Sequence, residues 1–178
     1  MLNIGFDVNK HEDDAIFYTH DVDLNPSEET IISNYKLEIK EDEIISIYSD
    51  DNTLGGIITF KSKTFLKING FPNNFWGWGI EDKALQNRAE FYRITIKRQN
   101  KYIECKKSNK FKIFDDVNDR IQNTNFNILT LFEYNEFEKL PIEEKDKHIS
   151  SNGLNTLIYE LLDNTIIDKN TIIIKVNF

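Results

Sequence analysis

The 178-residue sequence is poor in cysteine, proline and glycine, with one, three and seven of them. The lone Cys105 cannot form a disulfide within the chain, so nothing in the sequence requires an oxidising compartment. No apolar run approaches the roughly 20 residues of a membrane span, and no cleavable signal is visible at the N-terminus. We therefore predict no membrane span and, by default, a cytoplasmic location. No linker or internal repeat divides the sequence, which predicts a single domain over residues 1–178.

Basic residues are also in the minority. The chain carries 22 lysines and arginines against 30 aspartates and glutamates, a net charge of −8. A general nucleic-acid binder needs an excess of basic residues to contact phosphates, so we predict no nucleic-acid partner. Apolar residues make up 39% of the sequence and aromatic residues 12%, which fits a soluble globular protein. A chain of this length can bury roughly 70% of its unfolded surface.

Apolar runs and turn residues predict a mixture of strands and helices. The predicted strands span residues 15–18, 44–48, 57–60, 94–96, 154–159 and 171–176. The predicted helices span residues 62–68, capped by Ser62 and ended by Gly70, and residues 81–91. Residues 26–40 form a helix or an irregular connection, and the polar stretch 108–149 shows only a partly helical pattern over 128–137. This mixture predicts an α/β fold.

Two carboxylates stand directly after the first predicted strand, in Asp21-Val22-Asp23. Alternation along an extended chain places both on the same side. Carboxylate oxygens are ligands for Mn²⁺ and Mg²⁺, so the pair can hold a cation against a diphosphate, or can hydrogen-bond to a ribose. The alternative is a solvated turn, which is the usual role of Asp-x-Asp in a loop.

The most informative stretch is residues 70–82, a turn followed by Trp76-Gly77-Trp78-Gly79 and then by Glu81-Asp82. Tryptophan rings stack on sugar faces, and glycines beside them allow a loop to close over a ligand. A carboxylate at this place can remove a proton from a sugar hydroxyl. The alternative for Glu81 and Asp82 is that they only stabilise the first turn of a helix through its macrodipole, by about 0.3–1 kcal/mol.

Several pieces of the sequence occur in the order and with the spacing of one enzyme family. They are residues 2–6, the Asp21-Val22-Asp23-Leu24-Asn25-Pro26 segment, Gly55-Gly56, residues 65–82 and residues 153–159. Together they resemble the β-1,4-galactosyltransferases of glycosyltransferase family 7. The resemblance implies a GT-A fold, in which helices flank a mixed sheet. It also implies inverting transfer of a hexose, galactose or N-acetylgalactosamine, from a UDP-sugar to a hydroxyl of a glycan acceptor.

The resemblance further implies roles for individual residues. Asp82 matches the general base, and Glu81 matches a neighbour that orients the acceptor. The donor-binding residues implied are Asp21, Asp23, Gly56 and Trp78, with Asp23 as the ligand of Mn²⁺. The acceptor-binding residues implied are Trp78, Gly79, Ile80, Glu81 and Asp82. Inversion needs one base within hydrogen-bond reach of the attacking hydroxyl, in agreement with these roles, and the two acidic sites should meet in one cleft.

Two departures from the family pattern concern the donor site. Residues 102–110 lack the histidine that relatives use as a metal ligand, so the metal site is incomplete unless another oxygen ligand is supplied. The same segment is rich in lysine, which is either a solvated basic stretch or, through Lys106 and Lys107, a substitute for the cation at the diphosphate. Relatives also carry a strand–helix–strand segment before the position of Leu2. An upstream segment or a second chain then completes the nucleotide site, unless donor binding is lost.

The remaining departures concern sugar recognition. Thr53 stands where relatives carry a side chain that tunes galactose against N-acetylgalactosamine, and its small size leaves room for an N-acetyl group. Ile80 replaces a glycine, which stiffens the loop, while Lys83 and Ala84 replace acids. The alternative function is a non-catalytic remnant that binds carbohydrate or serves as an interaction domain. Cellular relatives work in the Golgi lumen behind a membrane anchor, and no such anchor is seen in this sequence.

Overall fold

The computed structural model describes residues 2–10, 14–21, 24–26, 35, 38–75, 80–99, 111–113 and 135–177. The helices in these ranges are α1 Leu2–Asn9, α2 Ser62–Lys67, α3 Glu81–Phe91 and α4 Ile142–Ser150, with 3-10 turns at Phe137–Lys139 and Leu154–Thr156. The strands are β1 Ile16–His20, β2 Leu24–Pro26, β3 Glu43–Tyr48, β4 Ile57–Lys61, β5 Thr95–Arg98, β6 Phe111–Ile113, β7 Glu160–Asp168 and β8 Thr171–Asn177.

The main sheet has four strands in the order β1-β4-β3-β5. Strands β1 and β3 both run antiparallel to β4, and β5 runs parallel to β3. The C-terminal ends of β1, β3 and β5 therefore lie at one edge of the sheet, where β4 begins. In open α/β sheets, ligands bind outside the carboxyl ends of the strands. This edge is where a site is expected.

Apolar side chains cover both faces of the sheet. All six residues of β3 are buried, which is typical of a central strand covered on both sides. The larger cluster includes stacked phenylalanine rings, with the centroids of Phe60 and Phe65 4.3 Å apart, and receives Leu85 and Ala89 from α3. The smaller cluster lies on the other face, because alternate residues of β4 point to opposite sides. Its buried members are Leu24, Ile47, Tyr48 and Ile57.

A buried arginine joins α3 to two distant segments. Arg88 is 1% exposed, and its guanidinium donates to the carbonyl oxygens of Asn69 (3.1 Å), Gly70 (2.9 Å) and Asn152 (2.6 Å). The side chain of Asn3 on α1 binds the same region, since it donates to the carbonyl of Phe71 and accepts from its N–H. The beginning of the 70–82 stretch is therefore anchored to α1, α3 and the turn after α4.

Several predicted elements agree with the structure. Helix α3 has the predicted bounds, and β3, β4 and β8 each contain the predicted strand. The predicted cap at Ser62 is wrong: Lys61 is the N-cap of α2, no side chain caps it, and Ser62 is a buried helical residue. Helix α4 was not predicted, although Pro141 before two glutamates is a typical helix start.

The strand predicted over residues 154–159 is also wrong. Its first half is the 3-10 turn Leu154–Thr156, and the strand begins only at Glu160. Hydrogen bonds hold the chain in a turn here: the Thr156 hydroxyl accepts one from the Gly153 N–H, and the Asn69 side chain accepts one from the Asn155 N–H. Residues 26–40, predicted as a helix or an irregular connection, lie mostly outside the described residues, as do residues 128–134 of the partly helical stretch.

The hairpin of β7 and β8 forms a separate two-stranded sheet with exposed aliphatic side chains. Those more than 45% exposed are Leu161, Leu162, Ile166, Ile167, Ile172 and Ile173. None of the helices in the described ranges is long and apolar enough to cross a membrane.

Candidate active site

Three chain segments that are far apart in sequence meet at the C-terminal edge of the main sheet. The Asp21 N–H, just after β1, donates to the carbonyl of Gly56 over 2.9 Å. The Leu54 N–H donates to the carbonyl of Asp82, in the first turn of α3, over 3.2 Å. The Gly55-Gly56 turn therefore lies between the acidic end of β1 and the acidic start of α3. The structure brings Asp21 and Asp82 to the same place.

The carboxyl group of Asp82 lies directly against Gly55. A Cβ built on Gly55 would lie 1.8 Å from Oδ2 and 2.5 Å from Cγ of Asp82, so no residue with a side chain fits there without displacing the carboxyl group. Gly56 is constrained differently: its φ of +66° favours glycine, and a Cβ there would lie 2.3 Å from the carbonyl oxygen of Tyr48. Steric constraints therefore favour glycine at both positions.

The surroundings of Asp82 favour its protonated form. Burial of the carboxyl group, and then the negative charges of Glu81 and Asp21, raise the pKa of Asp82 to about 7. A general base works best when its pKa lies near the working pH, because it is then partly ionised and still basic enough to take a proton. Perturbed carboxyl groups of this kind are concentrated at functional sites, although structural carboxyl groups can be perturbed as well.

The raised pKa has a consequence for stability. In the unfolded chain this carboxyl group titrates at about pH 3.9. Between about pH 4 and pH 7 the folded protein thus holds a proton that the unfolded chain has released, so this group lowers the free energy of unfolding as the pH rises through that window. We expect the melting temperature of the wild-type protein to fall more steeply between about pH 4 and pH 7 than that of Asp82→Asn. Parallel melting curves for the two proteins would contradict the raised pKa.

Helix α3 begins at a strained residue. Ile80, its N-cap, has φ +78° in the left-handed region, which is unusual for a β-branched residue and costs about 1–3 kcal/mol. A glycine would adopt this φ without strain, which is the physical reason why glycine suits this position. The two acids that follow lie in the first helical turn, where the macrodipole stabilises them, so the structural role proposed as the alternative applies as well.

Other predicted site residues lie outside the described ranges. These are Asp23, Trp78 and Gly79, together with the lysine-rich residues 101–110. Within the described ranges, no cluster of three or more His, Cys, Asp or Glu side chains could hold a metal ion. Asp21 does offer the oxygen donors that Mn²⁺ accepts, at the edge where the predicted cation site lies.

Sequence reasoning missed two contributors to this arrangement. Gly55 was predicted only as half of a turn motif, although its lack of a side chain is what leaves room for the carboxyl group of Asp82. Arg98, at the end of β5, had no predicted role, although its guanidinium contacts the turn before Gly55. The Gly-Gly pair was a local signal for the role of Gly55, whereas nothing local in the sequence indicated the contacts of Arg98.

The comparisons with known proteins identify the family. Residues 36–113 match a family model described as the N-terminal domain of galactosyltransferase. The chain is 30% identical to human β-1,4-galactosyltransferase 1, over 92% of this chain and 39% of that protein. It is 35% identical to human β-1,4-galactosyltransferase 4, over 55% of this chain and 30% of that protein. The chain belongs to the β-1,4-galactosyltransferase family. It spans less than half of the length of these two family members.

Solved structures of the family show the fold. A Drosophila β-1,4-galactosyltransferase 7 mutant, in complex with manganese, UDP-Gal and xylobiose, has a TM-score of 0.68 and 21% identity, covering 98% of this chain and 71% of that one. The catalytic domain of the Drosophila enzyme with xylobiose gives a TM-score of 0.64 at 22% identity. The predicted α/β fold of GT-A type is thereby confirmed for this family member.

Proposed function

We propose that this chain transfers a hexose from a UDP-sugar to a hydroxyl of a sugar acceptor, with inversion at the anomeric carbon. The observation that carries the proposal is the carboxyl group of Asp82, partly desolvated against Gly55 with a pKa of about 7, beside the end of β1. Family membership supplies the reaction class. The presence of UDP-Gal and xylobiose in the Drosophila complex supports a UDP-sugar donor and a glycan acceptor.

In the proposed reaction, Asp82 accepts the proton of the acceptor hydroxyl. The acceptor oxygen then forms a bond to the anomeric carbon while the bond from that carbon to the UDP oxygen breaks on the opposite face. The electron pair of the broken bond leaves with UDP, and the proton stays on Asp82. Proton removal by a positioned base contributes typically about 10²–10⁴-fold in rate. Glu81, next on α3, is proposed to orient the acceptor, with Trp78, Gly79 and Ile80 completing its site.

Asp23 is the residue proposed to hold a divalent cation on the donor side, and Asp21 and Gly56 are proposed to contact the donor. A bound Mn²⁺ would supply positive charge for the leaving diphosphate. The competing proposal is that Lys106 and Lys107 neutralise the diphosphate instead. One measurement, UDP binding in the presence of a chelator, distinguishes the two proposals. Chelation abolishes UDP binding if the cation is required. If the lysines act instead, chelation has no effect and the Lys106→Ala, Lys107→Ala double variant binds UDP weakly.

The decisive experiment measures transfer from UDP-Gal and UDP-GalNAc to a panel of sugars that includes xylobiose, with Mn²⁺ and with a chelator. A new β-linked product, identified by mass spectrometry and NMR, is the expected result. Binding of carbohydrate without binding of UDP would instead favour the non-catalytic alternative. The completion of the nucleotide site by an upstream segment or a second chain stays a prediction, as does the single domain over residues 1–178.

The choice of donor sugar is proposed to depend on Thr53. This residue is partly buried, and it lies two positions before Gly55 with its N–H donating to the carbonyl of Asp50. Its small side chain leaves room for an N-acetyl group. We expect Thr53→Tyr to lower kcat/KM for UDP-GalNAc about tenfold relative to UDP-Gal. The Thr53→Ser variant keeps the size small and should leave the ratio unchanged; an equal loss for both donors in Thr53→Tyr would argue against this role.

A further inference from the structure

Arg98 uses its guanidinium to join the end of β5 to two other segments. One terminal nitrogen donates to Ser49 Oγ (2.6 Å), to the carbonyl of Asp50 (2.9 Å) and to the carbonyl of Thr53 (3.0 Å). The other terminal nitrogen donates to the side-chain carbonyl of Gln86 on α3, over 2.9 Å. One side chain therefore contacts both the turn that follows β3 and the helix that carries Asp82.

These contacts close a ring that contains Asp82. Along the chain, Thr53 is followed by Leu54, whose N–H donates to the carbonyl of Asp82. The next residue, Gly55, is the one against which the Asp82 carboxyl group lies. Along α3, Asp82 and Gln86 are four residues apart, about one turn of the helix. Arg98 thus holds the turn at Thr53 and the helix at Gln86, on either side of the contact between Asp82 and Gly55.

The chemistry of these bonds suits a geometric role. All four acceptors are uncharged oxygens, and in the described part of the chain no carboxylate forms an ion pair with Arg98. The planar guanidinium has donors in a fixed fork, which allows simultaneous bonds in different directions. Lysine keeps the charge but has a single donor group and cannot reproduce the fork.

We propose that Arg98 is a positioning residue that keeps the Asp82 carboxyl group against Gly55 by fixing the turn at residues 49–53 relative to α3. The inference deepens the proposed function and rests on it for the role of Asp82 as base. Its geometric content concerns only the surroundings of that carboxyl group, so it can be tested without turnover.

Opening the ring should expose Asp82 to water. The charged groups that face it in the described structure are Glu81, on the same helix, and Asp21, after β1, while the packed segment 54–56 carries no charge. Burial is the largest cause of the raised pKa, and the two negative charges come after it. Added water would weaken all of these effects, so the titration midpoint of Asp82 should fall.

The test is an NMR titration of the protein with ¹³C-labelled aspartate carboxyl groups, with the Asp82 signal assigned by its absence from Asp82→Asn. We expect Arg98→Lys to lower the midpoint of Asp82 by about one pH unit. Gln86→Leu, which removes the contact of Arg98 with α3 together with the Gln86–Glu90 hydrogen bond, should lower it less, and the double variant no further than Arg98→Lys alone. The matched control is Arg93→Lys, at an exposed residue just after α3, which should leave the midpoint unchanged.

An unchanged midpoint in both folded variants, Arg98→Lys and Gln86→Leu, would overturn the proposal. If Arg98→Lys does not fold, the Gln86→Leu titration decides alone. Kinetics separate this inference from the proposed function. A lowered midpoint in a protein that transfers no sugar supports the positioning role but not the transferase. Sugar transfer together with an unchanged midpoint would contradict the positioning role of Arg98 but not the transferase function. In an active protein, Arg98→Lys should lower kcat about tenfold and leave the KM for donor unchanged.

Discussion

We expect Asp82→Asn to transfer sugar about 10³-fold more slowly than the wild-type protein. Asparagine fills nearly the same volume against Gly55 but has no basic oxygen, so the acceptor hydroxyl keeps its proton during attack. Binding of the UDP-sugar should not weaken, since the variant removes a negative charge from the cleft. Initial rates at saturating donor, together with UDP-sugar binding by calorimetry, measure the two effects separately.

The matched control for this variant is Glu143→Gln, an acid-to-amide change at an exposed position on α4. It should leave the rate within about twofold, because surface changes of this kind alter little. If Asp82→Asn keeps a tenth or more of the wild-type rate, Asp82 is not the base, because so small a loss is what removal of a minor electrostatic contributor would cause. In that case Glu81 is the next residue to replace.

The second large effect is expected at Gly55. A methyl group there would lie 1.8 Å from Oδ2 of Asp82, so Gly55→Ala must displace the carboxyl group, the turn or the start of α3. Misplacement of a catalytic group by about 1 Å can cost about 10²-fold in rate, and we expect a loss of this size. Overpacking of this kind should also lower the free energy of unfolding by about 1–3 kcal/mol. Steady-state kinetics and chemical denaturation measure the two quantities.

A glycine elsewhere in the chain offers the control. Gly5 lies in α1, and a Cβ there would meet nothing within 4 Å, so Gly5→Ala should leave the rate unchanged and stabilise the helix by about 0.5–1 kcal/mol. The steric cause is tested by adding Gly55→Ala to Asp82→Ala, which lacks the carboxyl group. The loss of stability caused by Gly55→Ala should then shrink. An equal loss in both backgrounds would place the clash somewhere other than Asp82.

Elements with a strong local pattern were predictable. Helix α3 was found within its predicted bounds, because two acids at its start and Ala84, Leu85 and Ala89 at helical spacing are local signals. The apolar strand β3 was recognised for the same reason. The failure at residues 154–159 shows the opposite case: a run rich in β-formers was turned by bonds to Asn69, more than 80 residues away.

Family membership, the α/β class and the identity of the acidic residues could be derived from the sequence alone. Tertiary structure decided what those acids can do. The pKa of Asp82 depends on burial and on the charges of its neighbours, one of which, Asp21, is about sixty positions away along the chain. Desolvation and charge repulsion are set by distances in space, and a linear sequence does not contain those distances. The contact of the carboxyl group with Gly55, and the contacts that Arg98 makes around it, became visible only in the folded chain.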